Sequence, residues 1–435
     1  MSVTIIGGGW AGLACAVELC QGGMPVTVFE AAPRLGGRAR RVTVEGDVLD
    51  NGQHLLIGGY RETLRLMTVI GVAENTVLHR QALQWDMRAA EGPNLLLGAP
   101  RLPAPFHLAW ALATAKGWSW PERRAALGLC TRLLVRRFSL DEELPVKDWL
   151  ARESQPARVV QLLWSPLCLA TLNTPIENAS TQVFLRVLRD SFARRRADSD
   201  LLLPAQDLSA LFPEPAAAYI NSHGGKVLTG TRVSALTLDQ QGIAGLTTQA
   251  GTHKTRHIVL AAPPLAAARL LSPHSATRTL AEGLNRFQYE PITTVYVRYP
   301  PDTRLTSGMV GFDGRLTQWL FDLGTAGKRG WMAAVISGSG PHMALSKKDL
   351  EAKITDELAR LFPHWPAPQT VHAIREKRAT FSCHSGVKAL RPGQVTAVKG
   401  LYLAGDYTAT GYPATLEGAV ISGVRCARAV RSETE

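Results

Sequence analysis

The sequence predicts an α/β protein whose central parallel sheet is interrupted by two long insertions. A short apolar run near the N-terminus is followed by a glycine-rich turn, a helix-like segment and a second apolar run that ends in an acid. Further strand-like segments lie far along the chain and are separated by stretches of different character. The strand-like segments cover residues 3–6, 26–30, 226–228, 232–236, 257–260 and 400–404. We therefore expect one sheet to be assembled from distant parts of the chain.

The first turn reads Gly7-Gly8-Gly9-Trp10-Ala11-Gly12, and Glu30 lies eighteen residues beyond Gly12. Gly7 permits the tight turn, Gly9 lets backbone N–H groups approach a pyrophosphate, and Gly12 lets the helix lie close to the sheet. The carboxylate of Glu30 is placed to accept hydrogen bonds from the hydroxyls of an adenosine ribose. Because strand, turn, helix, second strand and acid follow in order, the pattern favours a Rossmann-like dinucleotide-binding unit over a plain glycine turn.

The net charge of +12 and the pI near 9.7 raise the question of a nucleic-acid partner. The basic residues are dispersed in short clusters, Arg123-Arg124, Arg136-Arg137 and Arg194-Arg195-Arg196, and no recognised nucleic-acid module surrounds them. We therefore predict no nucleic-acid binding. Anionic lipid suits such clusters better, and a solvated helix face is the simpler explanation.

Targeting and cysteine patterns point to the cytoplasm. No signal peptide precedes the first strand, and the apolar stretch 108–115 is far too short to span a bilayer. The six cysteines show neither a CxxC motif nor a metal-like grouping, so we predict reduced thiols and no metal site.

Two polar loops follow the first unit. Arg38 lies in a loop of glycines and arginines directly after Glu30, where its guanidinium could reach a diphosphate. Asp50-Asn51-Gly52-Gln53-His54 stands between a short strand and an apolar helix, residues 60–70, which is where a cofactor ring would be met. For Asn51 alone, an Asx turn with a helix cap explains the pattern equally well.

The insertions differ in character. From about Trp85 to Arg196 we expect helices, and the helical pattern is clearest over residues 106–116, 123–138 and 183–195. Prolines, among them Pro166, punctuate these segments, and tryptophans crowd into them. Core packing explains most of the tryptophans, although such helices could also line a long apolar cavity or dip into a membrane surface. The second insertion, about 265–381, mixes strands with a helix at 347–361. After it, a turn at 412–415 leads into a final helix.

The N-terminal turn, the loop 34–38 and the C-terminal Ala404-Gly405-Asp406 with Leu416-Glu417-Gly418-Ala419 together resemble the flavin amine oxidase and phytoene desaturase superfamily, which binds FAD. Within it, four further segments resemble the squalene-associated flavoproteins, the hydroxysqualene dehydroxylases of bacterial hopanoid synthesis. These segments are residues 50–54 together with 59–64, then 164–175, 183–190 and 208–213. The chain departs from that family at Tyr407, where tryptophan is usual, and at 382–386.

The resemblance implies a Rossmann-like FAD-binding domain of the flavin amine oxidase type with an inserted substrate-binding domain of mixed sheet and helices. The implied FAD-binding segments are 1–80, 201–265 and 385–435, with a helical substrate or cap insertion at 81–200 and a substrate-binding insertion at 266–384. The implied cofactor-binding residues are Gly7, Gly9, Trp10, Ala11, Gly12, Glu30, Ala31, Gly36, Gly37, Arg38, Gly52, Gln53, His54, Val233, Gly405, Asp406, Thr415, Leu416 and Ala419.

The resemblance also implies roles for parts of this set. The adenine would be met by the backbone of Val233, and the ribitol and pyrophosphate side by Asp406. The ADP half would be held by Gly7, Gly9, Gly12, Glu30 and Arg38. The helix beginning near Leu416 would face the flavin O2 edge, where its dipole stabilises negative charge. Gln53 and His54 would lie beside the isoalloxazine ring.

The implied reaction replaces the allylic hydroxyl of hydroxysqualene, a long isoprenoid, with hydrogen delivered from flavin N5. Hydroxide leaves poorly, so a general acid is needed, and a water-poor pocket would protect the cation. We nominate His54 as the acid. A His54 that only hydrogen-bonds the flavin or the backbone is the alternative.

Other functions use the same fold. A carotenoid or squalene desaturase would run the site in the oxidising direction, and a non-enzymatic isoprenoid escort would not need the intact dinucleotide motifs. An amine oxidase is disfavoured because Thr415 stands where that branch commonly has an aromatic residue. No second nucleotide fingerprint identifies the external electron donor. We expect a cytoplasmic protein. A further hypothesis is that it makes peripheral contact with an anionic membrane.

Overall fold

The computed structural model describes residues 2–434, so the predicted domain limits at residues 1 and 435 lie outside the described residues. The strands, in chain order, are β1 Val3–Ile6, β2 Val26–Phe29, β3 Arg41–Val44, β4 Asp47–Asp50, β5 Leu56–Ile57, β6 Leu78–Gln81, β7 Gln84–Arg88, β8 Leu95–Gly98, β9 Leu201–Pro204, β10 Lys226–Leu228, β11 Val233–Asp239, β12 Gly242–Thr248, β13 Gly251–Lys254, β14 Ile258–Leu260, β15 Tyr289–Arg298, β16 Met309–Phe312, β17 Trp319–Asp322, β18 Trp331–Ser337, β19 Thr370–Phe381 and β20 Leu401–Leu403.

The α-helices, in chain order, are α1 Trp10–Gln21, α2 Arg61–Val69, α3 Glu74–Val77, α4 Phe106–Ala113, α5 Trp120–Val135, α6 Val146–Arg152, α7 Ala157–Val159, α8 Ser165–Leu172, α9 Thr181–Leu188, α10 Leu208–Leu211, α11 Pro213–Ser222, α12 Pro264–Leu271, α13 Arg278–Asn285, α14 Lys347–Leu361 and α15 Leu416–Thr434. Short 3₁₀ turns cover Arg196–Ser199, Ser275–Thr277, Leu323–Ala326, Pro341–Ala344 and Val387–Leu390.

The central sheet is parallel and has the strand order β10-β2-β1-β14-β20. Its strands come from three distant parts of the chain, as the sequence predicts, and the α/β fold is confirmed. The strand expected at 232–236 is the exception, because β11 pairs with β12 in a separate antiparallel sheet. Val3 and Ile5 of β1 are fully buried, and so are all three residues of β14. Strands covered on both faces are apolar along their length, which is why these segments read as continuous hydrophobic runs.

The first turn allows α1 to lie against the sheet. Gly7 has φ +117°, a backbone conformation that residues other than glycine rarely adopt. A Cβ on Gly12 would lie 2.0 Å from the carbonyl oxygen of Gly7, so only glycine lets the helix approach this closely. Nearly every residue of α1 is buried, and the helix packs between the sheet, α11 and α15.

The second large sheet is mixed and has the order β19-β15-β18-β17-β16-β7-β8. Its last two strands correct the expectation that helices begin at about Trp85. In β7, Trp85 and Met87 are buried and their neighbours are partly or fully exposed, which is the alternation of a strand with one covered face. The strand joins β16, more than two hundred residues away, in parallel. The helical insertion therefore begins near α4.

The helical insertion follows the predicted segments with two corrections. A π-helical turn, Val160–Trp164, joins α7 to α8, so the chain remains helical through Pro166. Proline cannot donate a backbone hydrogen bond and its ring crowds the preceding turn, and a wider π turn relieves both constraints. The segment predicted as one helix over 183–195 is α9 followed by a second π turn, Arg189–Ala193.

Three smaller sheets complete the fold: the antiparallel β11-β12-β13 and β3-β4, and the sheet β5-β9-β6. Within residues 2–434 we find no helix long and apolar enough to cross a bilayer. The five predicted domain segments stay a prediction.

Candidate active site

A cavity of about 950 Å³ lies between the carboxyl edge of the central sheet and the two inserted regions. Ligands of open α/β sheets bind at this edge, and the volume is at the upper end of the roughly 300–1,000 Å³ usual for ligand sites. The cavity is lined by every residue of the predicted site except Gly12: Gly7, Gly9, Trp10, Ala11, Glu30, Ala31, Gly36, Gly37, Arg38, Gly52, Gln53, His54, Val233, Gly405, Asp406, Thr415, Leu416 and Ala419. Gly12 lies behind the turn, where it permits the close packing of α1.

Glu30 is oriented by two backbone hydrogen bonds. Gly8 N donates to Oε2 at 2.6 Å and Ala32 N donates to Oε1 at 2.7 Å. Each carboxylate oxygen keeps a further acceptor position, so Glu30 remains able to accept from ribose hydroxyls. That contact stays a prediction.

The N-terminus of α1 opens into the cavity. Its N-cap residue is Gly9, which has no side chain to accept from the first-turn N–H groups. The loop 34–38 closes over this end because Gly36 N donates to Gly8 O at 2.8 Å. Free backbone donors at a helix N-terminus, beside glycines that permit close approach, fit a diphosphate.

Arg38 connects this loop to two remote segments. Its Nη2 lies 2.7 Å from Oδ2 of Asp406, and its Nη1 donates to Ala379 O at 2.7 Å. The Asp406 side chain is 8% exposed, and that of Arg38 is 35% exposed. The guanidinium is thus oriented by the C-terminal segment and β19, and a phosphate contact from its remaining N–H groups stays a prediction.

A second helix N-terminus, that of α15, faces the cavity at Thr415 and Leu416. Thr415 Oγ1 accepts from Gly418 N at 3.0 Å, as an N-capping side chain does. Glu417 points away and accepts from Glu62 N at 3.0 Å and Thr63 N at 2.9 Å, at the start of α2. The cavity side of α15 therefore carries no competing carboxylate in this turn, which suits an anionic ring edge.

Gln53 and His54 lie on a loop that is seated on β15. Gln53 N donates to Thr294 Oγ1 at 3.3 Å, and His54 Nδ1 lies 3.0 Å from Gly52 O. Because a carbonyl only accepts, Nδ1 carries the hydrogen and Nε2 holds the lone pair of the neutral ring. Burial lowers the pKa of His54 below its usual 6.5, although the hydrogen bond to the Gly52 carbonyl by itself would raise this pKa.

A second, water-sized cavity of about 20 Å³ lies on the far side of this loop. Gln53 and His54 line both cavities, and Asp50 and Lys328 line the smaller one. Burial raises the pKa of Asp50 to about 7. The loop therefore separates the large cavity from a partly buried polar cluster.

The other end of the large cavity is apolar. Its walls come from the helical insertion and the seven-stranded sheet and include Leu167, Met309, Phe321 and Val335. The Trp85 ring meets that of Trp319 edge-on at a centroid distance of 4.9 Å. We did not predict these residues individually, although the alternation in β7 would have indicated a buried Trp85.

A charged cluster in the cavity wall was also missed. Tyr412 OH donates to Asp190 Oδ2 at 2.6 Å, and Arg186 Nε and Arg189 Nε also donate to this carboxylate. Burial alone would raise the pKa of Asp190, but hydrogen bonds from Arg189, Tyr412 and Arg186 lower it overall. Arg186 and Asp190 have the i,i+4 spacing of a local ion pair, but Tyr412 is 222 residues from Asp190, so no local pattern predicts that contact.

The family assignment rests on a match that spans nearly the whole chain: residues 10–431 match the model of the flavin containing amine oxidoreductases. The chain belongs to this family. It is an FAD-dependent oxidoreductase, and the predicted cofactor is confirmed at that level. The family assignment leaves the escort hypothesis without support.

Curated relatives refine the comparison. The chain is 30% identical over 443 residues to the hydroxysqualene dehydroxylase of Rhodopseudomonas palustris (98% of this chain, 97% of the relative). It is 29% identical over 449 residues to that of Sinorhizobium fredii (100% and 99%). The 15-cis-phytoene desaturase of an Oncidium hybrid cultivar is 26% identical over 452 residues (99% and 78%). The resemblance inferred from the sequence motifs is thereby confirmed.

Solved structures support the fold. Cyclohexylamine oxidase from Brevibacterium oxydans IH-35A superposes with a TM-score of 0.73 at 20% identity, covering 100% of this chain and 99% of that one. At this identity the likeness shows the fold alone.

Proposed function

We propose that this protein reduces hydroxysqualene to squalene with FAD as its cofactor. The observation that carries the proposal is a continuous cavity of about 950 Å³, which runs from the glycine turn to a wall of large apolar side chains. One end suits a dinucleotide and the other a long hydrocarbon. The names of two relatives, at about 30% identity over the whole chain, agree with this substrate.

The cofactor would be held by residues at three places. Glu30 and the N-terminus of α1 would bind the ADP half, Arg38 and Asp406 the central part, and the N-terminus of α15 the ring edge. When bound, reduced FAD supplies hydride to the carbon that loses oxygen.

His54 is the proposed general acid. With Nδ1 donating to Gly52 O, the protonated ring has one transferable proton, on Nε2, and its loss returns the neutral form that Gly52 stabilises. The proton joins the departing hydroxide, and water is released. Burial lowers the pKa of His54, so its imidazolium gives up a proton more readily than that of an ordinary histidine and forms more fully below neutral pH.

The apolar walls would exclude water. A developing allylic cation is captured by any water molecule within reach, so a site for this reaction must be dry. Trp85, Met309, Trp319 and Phe321 would cover the hydrocarbon on the side formed by the seven-stranded sheet.

An isoprenoid desaturase is the second candidate, because the chain is 26% identical over 99% of its length to a 15-cis-phytoene desaturase. That reaction would use the same walls and cofactor residues, with hydride moving from the substrate to the flavin. The direction of hydride transfer separates the two proposals.

The test is anaerobic. The flavin of the purified protein is reduced, hydroxysqualene is added, and flavin absorbance and product mass are followed together, with squalene as the control addition. We expect reoxidation with an equal amount of squalene formed. Flavin that stays reduced would contradict the dehydroxylase, and oxidised protein would then be mixed with squalene or phytoene to test the desaturase.

A further inference from the structure

Three large aromatic side chains are exposed on α4 and at the start of α5. Phe106 is 65% exposed, Trp110 56% and Trp120 61%, although aromatic side chains of this size are usually covered. Arg101 and Lys116 are exposed on the same stretch of chain. We call these five residues the α4–α5 face.

The aromatic residues of the face belong to one rigid unit. Phe106 and Trp110 are four residues apart and therefore lie on the same side of α4. Arg123 Nη1 donates to Ala113 O at 3.1 Å, which joins the first turn of α5 to the last turn of α4. Because Trp120 and Arg123 are three residues apart, this bond brings Trp120 close to the end of α4 that carries Trp110.

The face stands directly outside the large cavity. His107 of α4 is fully buried, and its Nε2 lies 3.1 Å from Oγ of Ser199, which lines the cavity. The loop after α4 is tied to β8 by paired hydrogen bonds between Lys116 and Leu96, at 3.0 and 3.1 Å. One layer of structure thus separates the exposed rings from the cavity wall.

The surrounding charge is strongly positive. Residues 99–137 contain seven lysines and arginines and a single acid, Glu122. That acid is engaged in capping α5, where Ser119 N donates to its Oε2 at 2.6 Å. Arg132 and Arg136 are ion-paired with Glu153, whereas Arg101 and Lys116 have no ion-pair partner among the described residues. Tryptophan and phenylalanine beside such cations are the side chains that bind the interface of an anionic bilayer.

We propose that the α4–α5 face docks the protein on an anionic lipid bilayer, with the three rings inserted among the headgroups. This inference deepens the proposed function, because a bilayer is where a long apolar substrate is dissolved, and the face lies beside the cavity that would receive it. Anionic lipid is favoured over a second copy of this chain, since two such faces would bring like charges together.

The test is binding to vesicles that contain no substrate. The FAD-loaded protein is sedimented with vesicles of phosphatidylcholine that contain phosphatidylglycerol, and with vesicles of phosphatidylcholine alone, at low and high salt. Replacing Phe106, Trp110 and Trp120 with serine should lower vesicle affinity about tenfold or more per ring. R101E with K116E should abolish the preference for the anionic vesicles. V48S with V395S is the matched control, since these side chains are 47% and 55% exposed and lie elsewhere in the sequence.

Loss of binding in the serine variant, with the control bound as tightly as the wild type, would support docking. Equal binding by the serine variant would overturn it. A wild type that binds neither kind of vesicle would also overturn the proposal. The same holds if it binds neither because it dimerises through this face. Because no substrate is present, vesicle binding is independent of whether hydroxysqualene reoxidises the flavin.

Discussion

His54 has one ring nitrogen committed to the backbone and one free for chemistry. With its pKa lowered by burial, only a small fraction of the ring is protonated at pH 8 and more at pH 6. If the imidazolium is the general acid, the single-turnover rate of flavin reoxidation rises as the pH falls, approaching tenfold per pH unit above the pKa. His54→Gln should remove this dependence and lower the rate by about 10²–10⁴-fold, as is usual for a lost general acid.

The measurement is stopped-flow reoxidation of the reduced protein at several pH values. His79→Gln, an exposed histidine on β6, is the control and should leave both the rate and its pH profile unchanged. An undiminished rate in the His54 variant would remove this residue from the mechanism.

At the scale of elements, Glu417 joins the first turn of α15 to that of α2. Burial raises its pKa to about 7 from 4.5. A folded-state pKa above the unfolded value contributes stability at low pH that is lost as the pH rises toward 7. Relative to Glu417→Gln, the free energy of unfolding of the wild type should therefore fall by up to about 3 kcal/mol between pH 5 and pH 8.

Urea unfolding of both proteins across this range checks the prediction. The informative quantity is the slope with pH, because the glutamine also weakens the cap at every pH. Glu122→Gln, which removes a capping carboxylate from the exposed start of α5, controls for that loss. Parallel pH profiles for wild type and Glu417→Gln would show that the buried carboxyl does not titrate in this range.

Local contacts in this fold can be predicted from the sequence, and contacts between remote segments cannot. The unit from β1 to β2 follows from contacts among neighbouring residues, so its glycines, helix and acid are readable in order. The pairing of β7 with β16 depends on residues more than two hundred positions away. The contact of Asp190 with Tyr412 likewise joins remote segments. Local patterns indicate that such residues are buried or charged, but the partner is determined by the packing of the whole chain.

At the scale of the molecule, Arg38 links parts of the chain that no short-range contact would connect. It lies 341 residues from Ala379 and 368 from Asp406, and it bonds to both in the wall of the cavity. This side chain therefore joins two of the predicted FAD-binding segments, 1–80 and 385–435, to the predicted substrate-binding insertion at 266–384. Removing it would leave the mostly buried Asp406 carboxylate without its ion-pair partner, beside a cofactor that is itself anionic.

Arg38→Ala should therefore weaken FAD binding by at least about tenfold, which corresponds to about 1.4 kcal/mol. Because bound cofactor stabilises the folded state, the variant should also lose much of the increase in melting temperature that added FAD gives the wild type. Arg38→Lys keeps the charge but cannot hold Asp406 and Ala379 together. Its affinity for FAD should therefore lie between those of the wild type and Arg38→Ala. Fluorescence titration of the deflavinated proteins with FAD provides the affinities.

Arg256→Ala is the matched control. Arg256 also donates to one aspartate, Asp239 at 2.7 Å, and to one backbone carbonyl, but it lies on the protein surface. An FAD affinity in Arg38→Ala equal to that of the control would show that this link serves folding and not the cofactor.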